Sequence, residues 1–213
     1  MLRVLDDLTG SCMHATDGAM GPVLNFLFDD HSWHIRYLVV EAGSWLSRHS
    51  VVIAVTAAER PDWEKKMIHV NLSREQVRHS PDVDSTRPVA RQQEMAMRQF
   101  YGWPVSLGGN TLEGGFPWLA TGREFPADAN ADPHLRSARD LTGYEVRDPA
   151  GPIGRLENFI IDQDSWHIGY LDVRTGDWLH YRSLLLSTQW VESISWARHQ
   201  VHMKHAGRNP RGD

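Results

Sequence analysis

The chain has 213 residues, of which 41 % are hydrophobic and 23 % charged, as in an ordinary globular protein, and its formal net charge of −5 disfavours direct binding of nucleic acid. The single cysteine, Cys12, excludes an intramolecular disulfide and a cysteine-based zinc site. No apolar run approaches the roughly 18 residues of a membrane-spanning helix, and the N-terminus lacks the apolar stretch of a signal peptide, so we expect a cytoplasmic protein without a membrane span.

Five short strands separated by turn residues are predicted in the first third of the chain. Asp17-Gly18 is a turn signal because glycine adopts a positive φ without a side-chain clash, and residues 29–32 form a polar turn. The strand that begins at Trp33 has apolar residues in both of its alternating rows, so we expect both faces to be partly covered. The predicted strands span residues 9–15, 20–28, 33–40, 51–55 and 67–72.

A capping box follows the fifth strand and predicts a short helix. The Ser73 hydroxyl can accept a hydrogen bond from the Gln76 backbone amide, while the Gln76 side chain reaches back to the backbone N–H of Ser73. Leu72 and Val77 stand at the positions of a hydrophobic staple. Pro81 disfavours helical geometry at the residue before it, so this helix should end there.

The segment that follows differs in pattern and is predicted to be a linker. Residues 87–101 are typical of a helix with one apolar stripe, and residues 106–133, rich in Gly, Pro, Asn and Asp, of a long connection. Trp103 and Trp118 lie in this linker. Two roles are open for them: they cover an open end of the fold, or they anchor a protein interface.

The segment Asp29–Leu46 returns as Asp162–Leu179, and the match continues on both sides without a gap. Each position corresponds to the one 133 residues later, and about 20 of the 48 aligned pairs that begin with residues 7 to 54 are identical. A match of this length indicates an internal duplication. We therefore divide the chain into a first repeat (residues 1–80), a linker with a helix and a Gly/Pro-rich stretch (81–136), a second repeat (137–206) and a flexible tail (207–213).

Short strands at this spacing, without alternating helices, are typical of a small antiparallel barrel or sandwich. Each repeat has roughly 65 to 70 residues, which is enough for only a thin core. We therefore expect the two repeats to pack on each other, or to be covered by additional segments.

The repeated residues resemble those of the PRC-barrel family. The match lies in the Gly18-x-x-Gly21 turn, the segment from Asp29 to Tyr37, the turn and strand from Gly43 to Leu46, and the exit motif VNLSREQVRHSPDVD. Both copies carry the barrel part, but the exit motif is complete only after the first copy. The aromatic-Gly-Trp-Pro sequence at residues 101–104 also resembles the linker of tandem bacterial members.

The resemblance implies a mainly β fold of two small six-stranded antiparallel barrels, related by duplication and joined by a helical linker. The family includes the cytoplasmic domain of the photosynthetic reaction centre H subunit and the C-terminal domain of a ribosome maturation factor, and its common role is protein binding. We therefore expect a non-enzymatic protein-interaction or assembly module, with a homo-oligomer as one possible state. Two alternatives stay open: a factor associated with ribosomes or RNA processing, and a soluble partner of a photosynthetic membrane complex.

The sequence has no motif typical of catalysis, cofactor binding or metal binding. There is no Gly-x-Ser-x-Gly elbow, P-loop or Gly-x-Gly-x-x-Gly. His199, His202 and His205 recur every third residue, so on a strand they cannot all face one ion. Asp29 and Asp162 resemble paired catalytic carboxylates, but each opens a turn, where a carboxylate commonly accepts backbone hydrogen bonds. We expect neither an enzyme nor a metal or cofactor site.

Five residues are candidates for partner binding. Tyr101, Trp103 and Trp118 are aromatic residues in or beside a Pro/Gly-rich segment, which is typical of interface anchors. His34 and His167 follow the repeated tryptophan of each copy. Two roles are open for these histidines: a strand residue at a barrel rim, or one half of a pH-responsive contact.

Overall fold

The computed structural model describes residues 1–44, 47–78, 135–176 and 182–204, and the fold is mainly β, as predicted. These ranges contain two short α-helices, α1 (Arg74–Arg78) and α2 (Ala138–Leu141). The strands in chain order are β1 (Leu2–Val4), β2 (Cys12–Ala15), β3 (Gly18–Asp29), β4 (Ile35–Ser44), β5 (Ser47–Ala54), β6 (Met67–His69), β7 (Leu135–Ser137), β8 (Glu145–Asp148), β9 (Gly151–Asp162), β10 (His167–Thr175), β11 (Arg182–Ser187), β12 (Val191–Ser195) and β13 (Gln200–Met203).

Several predictions from the sequence fall outside the described ranges. They are the helix of residues 87–101, the connection of residues 106–133 and the tail of residues 207–213. The boundaries between repeats and linker therefore stay predictions.

Each half of the chain builds most of one sheet. The first sheet has the order β5-β4-β3-β2-β6, with β7 paired to β3, and the second has the order β11-β10-β9-β8-β13-β12, with β1 paired to β9. Among the described strands, no pairing joins the two ends of either path. The expectation of purely antiparallel pairing is wrong at two places, because β2 with β6 and β8 with β13 are parallel. Parallel neighbours need a long return connection, and here the intervening strands of each sheet supply it.

The two sheets exchange their short outer strands. In the second sheet, β1 from the start of the chain pairs with β9, and Leu2 lies opposite Asp162. In the first sheet, β7 pairs with β3, and Leu135 lies opposite Asp29. Leu135 corresponds to Leu2 at the 133-residue offset, and Asp162 corresponds to Asp29. The same pair of positions therefore meets in both sheets. Each sheet is thus completed by a strand from the other half of the chain, which the sequence analysis did not predict.

One continuous apolar core lies between the two halves. It includes Phe28, whose ring stacks on Trp33 at a centroid distance of 5.4 Å and meets Phe159 of the second half at 5.7 Å. A smaller buried cluster on the opposite face of the first sheet contains Tyr37 and Val39. Both faces of β4 are therefore covered, as its two alternating apolar rows indicate.

The capping box at the start of α1 forms as predicted. The Ser73 backbone N–H donates to Gln76 Oε1 at 2.8 Å, and the Gln76 N–H donates to Ser73 Oγ at 3.2 Å. Leu72 and Val77 are both buried in the main core. The staple residues thus hold α1 against the sheet while the box satisfies its first amides.

Replacing Ser73 with alanine should lower the free energy of unfolding by about 1 kcal/mol, because the Gln76 amide loses its acceptor. Urea denaturation followed by circular dichroism would measure this change. Glu64, which is exposed in a turn, provides the control, since Glu64→Ala should change stability by less than about 0.5 kcal/mol. Equal stability of Ser73→Ala and the wild type would show that the box contributes nothing.

Candidate protein-interaction surfaces

The five residues predicted to bind a partner fall into two groups. Tyr101, Trp103 and Trp118 lie outside the described residues, so their role stays a prediction. His34 and His167, from the two halves, lie opposite each other in an isolated antiparallel bridge.

Backbone hydrogen bonds around this histidine bridge join the two halves directly. The Ile35 N–H donates to the Trp166 carbonyl at 2.9 Å, and the Ile168 N–H donates to the Trp33 carbonyl at 2.7 Å. Trp33 and Trp166 both have a left-handed backbone, with φ of 56° and 57°. This conformation is costly for a bulky residue, and in both halves it occurs where the tryptophan closes a turn, with its N–H donating to the carbonyl of Asp29 or Asp162 at 2.8 and 2.9 Å. It also explains why β4 begins at Ile35 rather than at the predicted Trp33.

The two imidazole rings of the bridge are in contact. Their centroids are 4.9 Å apart with an interplanar angle of 63°, and Nδ1 of His34 lies 2.9 Å from the Ser32 carbonyl oxygen. Burial lowers the pKa of His167 below its ordinary value, the charge of His34 lowers it further, and Asp162 opposes both effects. His167 therefore resists protonation in the folded protein.

The stability of the protein should decrease as the pH falls below about 6.5. Because the folded pKa of His167 is depressed, the unfolded chain binds a proton first, so the contribution of this histidine is complete above that pH and is lost on acidification. Urea titrations at pH 5, 6 and 7.5 would measure the slope of the free energy of unfolding against pH. This slope should be shallower in His167→Gln than in the wild type. His31→Gln, which removes an exposed imidazole nearby, is the matched control. An identical slope in His167→Gln and the wild type would contradict the prediction.

Asp29 and Asp162 act in turns, as the sequence indicates. Asp29 Oδ1 accepts hydrogen bonds from the backbone N–H groups of His31 and Ser32 at 3.0 and 2.8 Å. Asp162 Oδ1 accepts the corresponding bonds from residues 164 and 165, both at 3.0 Å. Burial raises the pKa of Asp29, but these backbone donors and Arg36 outweigh it and hold the pKa below its ordinary value. Both carboxylates are therefore committed to the turns that precede the tryptophans.

Each half also has an arginine lying over a tryptophan ring. Arg136 lies 4.5 Å from the Trp196 ring centroid, and its Nε donates to Asp30 Oδ2 at 2.8 Å. Arg3, the corresponding residue of the other half, lies 5.5 Å from the centroid of Trp63. The arginines of the two stacks belong to the exchanged strands β7 and β1.

A groove of about 590 Å³ lies between the halves and is lined by corresponding residues of both. Asn25 and Asn158 are one such pair. Each side-chain oxygen accepts the next residue's backbone N–H at 2.8 Å, and Asn25 also donates to Ser137 at 2.8 Å. The polar atoms of this groove thus support the contact between the halves.

The outer faces of the two sheets differ in exposure. On the first sheet the apolar residues of this face are buried, whereas their counterparts on the second sheet are open to solvent. The exposed fractions are 3 % for Leu135 against 53 % for Leu2, 2 % for Tyr37 against 37 % for Tyr170, and 0 % for Val52 against 51 % for Leu185. We call Leu2, Tyr170 and Leu185 the outer patch.

Within the described ranges, no group of three or more His, Cys, Asp or Glu residues could hold a metal ion. His202 lies in β13, His199 precedes that strand with a φ of 52°, and His205 lies outside the described residues. The described residues also contain no helix long and apolar enough to cross a membrane.

Comparison with models of known protein families finds none that matches this chain. Comparison with curated proteins likewise finds no match.

Proposed function

We propose that this protein is a non-enzymatic protein-interaction or assembly module of the PRC-barrel type, built from two duplicated small barrels. The sequence motifs support the family, and matched backbone features support the duplication. These features are the exchanged strands, the left-handed Trp33 and Trp166, and the glycines at the β-hairpin turns, Gly18 and Gly151, with φ of 143° and 141°.

The outer patch is the observation that carries the interaction function. Its residues Leu2, Tyr170 and Leu185 lie on one face of strands β1, β10 and β11, and half-buried Ile160 lies on the same face of β9, which separates β1 from β10. Contiguous exposed apolar residues on a sheet face commonly mark a binding surface. Charged residues of both signs share this face, with Asp172 opposite Leu185 and Arg174 two residues further along β10, which suits a protein surface better than a phosphate backbone.

The edge of the second sheet adds a further attachment point. In the described part of the chain, β11 pairs on one side only, with β10. Leu184 and Leu185, adjacent in this strand, are 41 % and 51 % exposed. A sheet edge with apolar side chains can accept an added strand from another protein.

We expect a protein partner that binds the outer patch and is lost when the patch becomes polar. The tagged protein would be used to recover partners from a lysate of its own host, with and without nuclease. Leu185→Asp and Tyr170→Ser should each reduce recovery of the partner at least about tenfold, because a hot spot that is truncated or charged costs more than about 1.4 kcal/mol. Arg198→Asp, which places the same charge at an exposed turn, should bind normally.

The other outcomes have distinct meanings. A partner retained by both patch variants would refute the outer patch as the binding surface. Loss of all partners on nuclease treatment would replace this proposal with the RNA-linked alternative. A mass that rises with concentration in light scattering, and falls to the monomer in Leu185→Asp, would identify the partner as a second copy of the chain.

A further inference from the structure

Strands β2 and β6 bring sulfur and imidazole side chains together on one surface of the first sheet. In their parallel register Cys12 lies opposite Met67. Two positions further along, His14 lies opposite His69, and the two rings are in contact at a centroid distance of 5.4 Å. His69 is exposed and the other three side chains are half-buried, whereas Met13, on the alternate face of β2, is fully buried. The four side chains therefore share a face that solvent reaches.

The corresponding face of the second sheet has different chemistry. Strands β8 and β13 pair in the same register, and at the 133-residue offset the four positions are occupied by Glu145, Arg147, Gln200 and His202. Gln200 Nε2 donates to Glu145 Oε2 at 2.7 Å, and Arg147 Nη1 lies 3.9 Å from the same oxygen. In the first half, neither imidazole ring forms a hydrogen bond within the described residues. Nitrogen atoms without a protein partner are thus available there for a ligand.

We propose that His14, His69 and Met67 bind a soft monovalent cation of the Cu(I) class on the outer surface of the first sheet. Imidazole nitrogen and thioether sulfur are ligands that Cu(I) accepts. None of the three side chains is a carboxylate, and a neutral set of donors suits an ion with a single charge better than a divalent ion.

The geometry allows the three donors to reach one ion. Two imidazole rings that share an ion at metal–nitrogen distances of about 2 Å have centroids roughly 5 to 6 Å apart, which agrees with the observed 5.4 Å. Met67 lies two positions before His69 on β6, and it is the diagonal neighbour of His14 on β2. The methionine side chain is long and flexible enough to span either separation.

The residue types favour this class of ion over zinc. Zinc sites are built from Cys, His, Asp and Glu, and the described ranges contain no group of three of these that could hold a metal ion. The third donor of the proposed site is a thioether, which zinc sites do not use. The Cys12 thiol donates to the Met20 carbonyl at 3.5 Å, so it lies beside the set of donors and is not counted in it.

The experiment adds Ag(I), an air-stable analogue of Cu(I), to the full-length protein in chloride-free buffer. The methionine methyl groups are labelled with ¹³C, and Met67→Leu identifies the Met67 resonance. Cu(I) is then added without oxygen in competition with the chelator bicinchoninate, which measures the affinity. Cys12→Ser is measured beside the wild type, because a thiol alone also binds these ions.

We expect a saturable shift of the Met67 methyl resonance in the wild type and in Cys12→Ser, and no shift of buried Met13. His69→Gln and Met67→Leu should each weaken binding at least about tenfold, since the loss of a group that only orients a ligand costs that much. Two matched controls should bind as the wild type does. They are His202→Gln, at the corresponding position of the second half, and Met20→Leu, a half-buried methionine on β3.

The proposal is overturned if Met67 shows no saturable shift, or if His69→Gln binds as tightly as the wild type. Loss of binding in Cys12→Ser would also overturn it when His69→Gln binds normally, because the thiol alone would then hold the ion. Equal weakening in His202→Gln would indicate unspecific binding to histidines and has the same meaning. Partner recovery by the Leu185 and Tyr170 variants is a separate readout, so failure of this site leaves the outer patch unaffected.

Discussion

Gly21→Ala should lower the free energy of unfolding by about 3 kcal/mol, although it adds a single methyl group. A Cβ at Gly21 would lie well inside contact distance of the Glu41 carbonyl oxygen on the neighbouring strand β4. That oxygen belongs to the backbone, so it cannot rotate away as the end of a side chain would. Strands β3 and β4 would have to separate, and the ladder between them would weaken. Urea denaturation would measure the loss as a lower midpoint concentration, with the dependence of the unfolding free energy on urea concentration unchanged.

The chain provides a close control for this substitution. Gly154, the counterpart of Gly21, would place its Cβ against the Arg174 carbonyl in the same way, so Gly154→Ala should cost a similar amount. Gly169 has open space where a Cβ would lie and no left-handed φ. Gly169→Ala should therefore be neutral within about 0.5 kcal/mol. Equal tolerance of alanine at all these glycines would disprove the close approach of the strands.

Phe28→Ala should cost about 3 to 5 kcal/mol and destabilise both halves together. Phe28 is fully buried, stacks on Trp33 and contacts Phe159 of the other half, so the cavity would open in the shared core. Because the two halves also exchange strands, we expect one unfolding transition at a lower denaturant concentration. Far- and near-ultraviolet circular dichroism should report the same midpoint.

The control for Phe28 is Trp190, an aromatic residue that is 43 % exposed. Trp190→Ala should change stability far less than Phe28→Ala, because it leaves no buried cavity. Two resolved transitions, of which only one moves in Phe28→Ala, would show that the halves unfold independently. That result would contradict the single core described above.

Features set by near neighbours in the chain were predictable from the sequence. The capping box needs only Ser73, Gln76 and the two staple residues, which lie within six positions of one another. The turns at Asp29 and Asp162 likewise depend on amides two and three residues away. Local geometry determines these contacts, so residue types at fixed spacing were sufficient.

Features set by distant contacts were not predictable in the same way. Strand β1 has three residues, too few for a periodic pattern, and its partner β9 lies in the other half of the chain. Trp33 continued an alternating row, but it closes the turn that begins at Asp29, with its N–H donating to the Asp29 carbonyl at 2.8 Å and a left-handed φ of 56°.

The order in which this chain is made differs from the order in which its strands can pair. Strand β1 leaves the ribosome well before its partner residues, Ile160 to Asp162, which are added some 160 positions later. At ordinary synthesis rates this delay is about 10 to 30 s. The first sheet is also incomplete until β7 emerges. Leu2 and its neighbours must therefore stay unpaired until β9 has emerged, which leaves them open to other nascent segments and to chaperones.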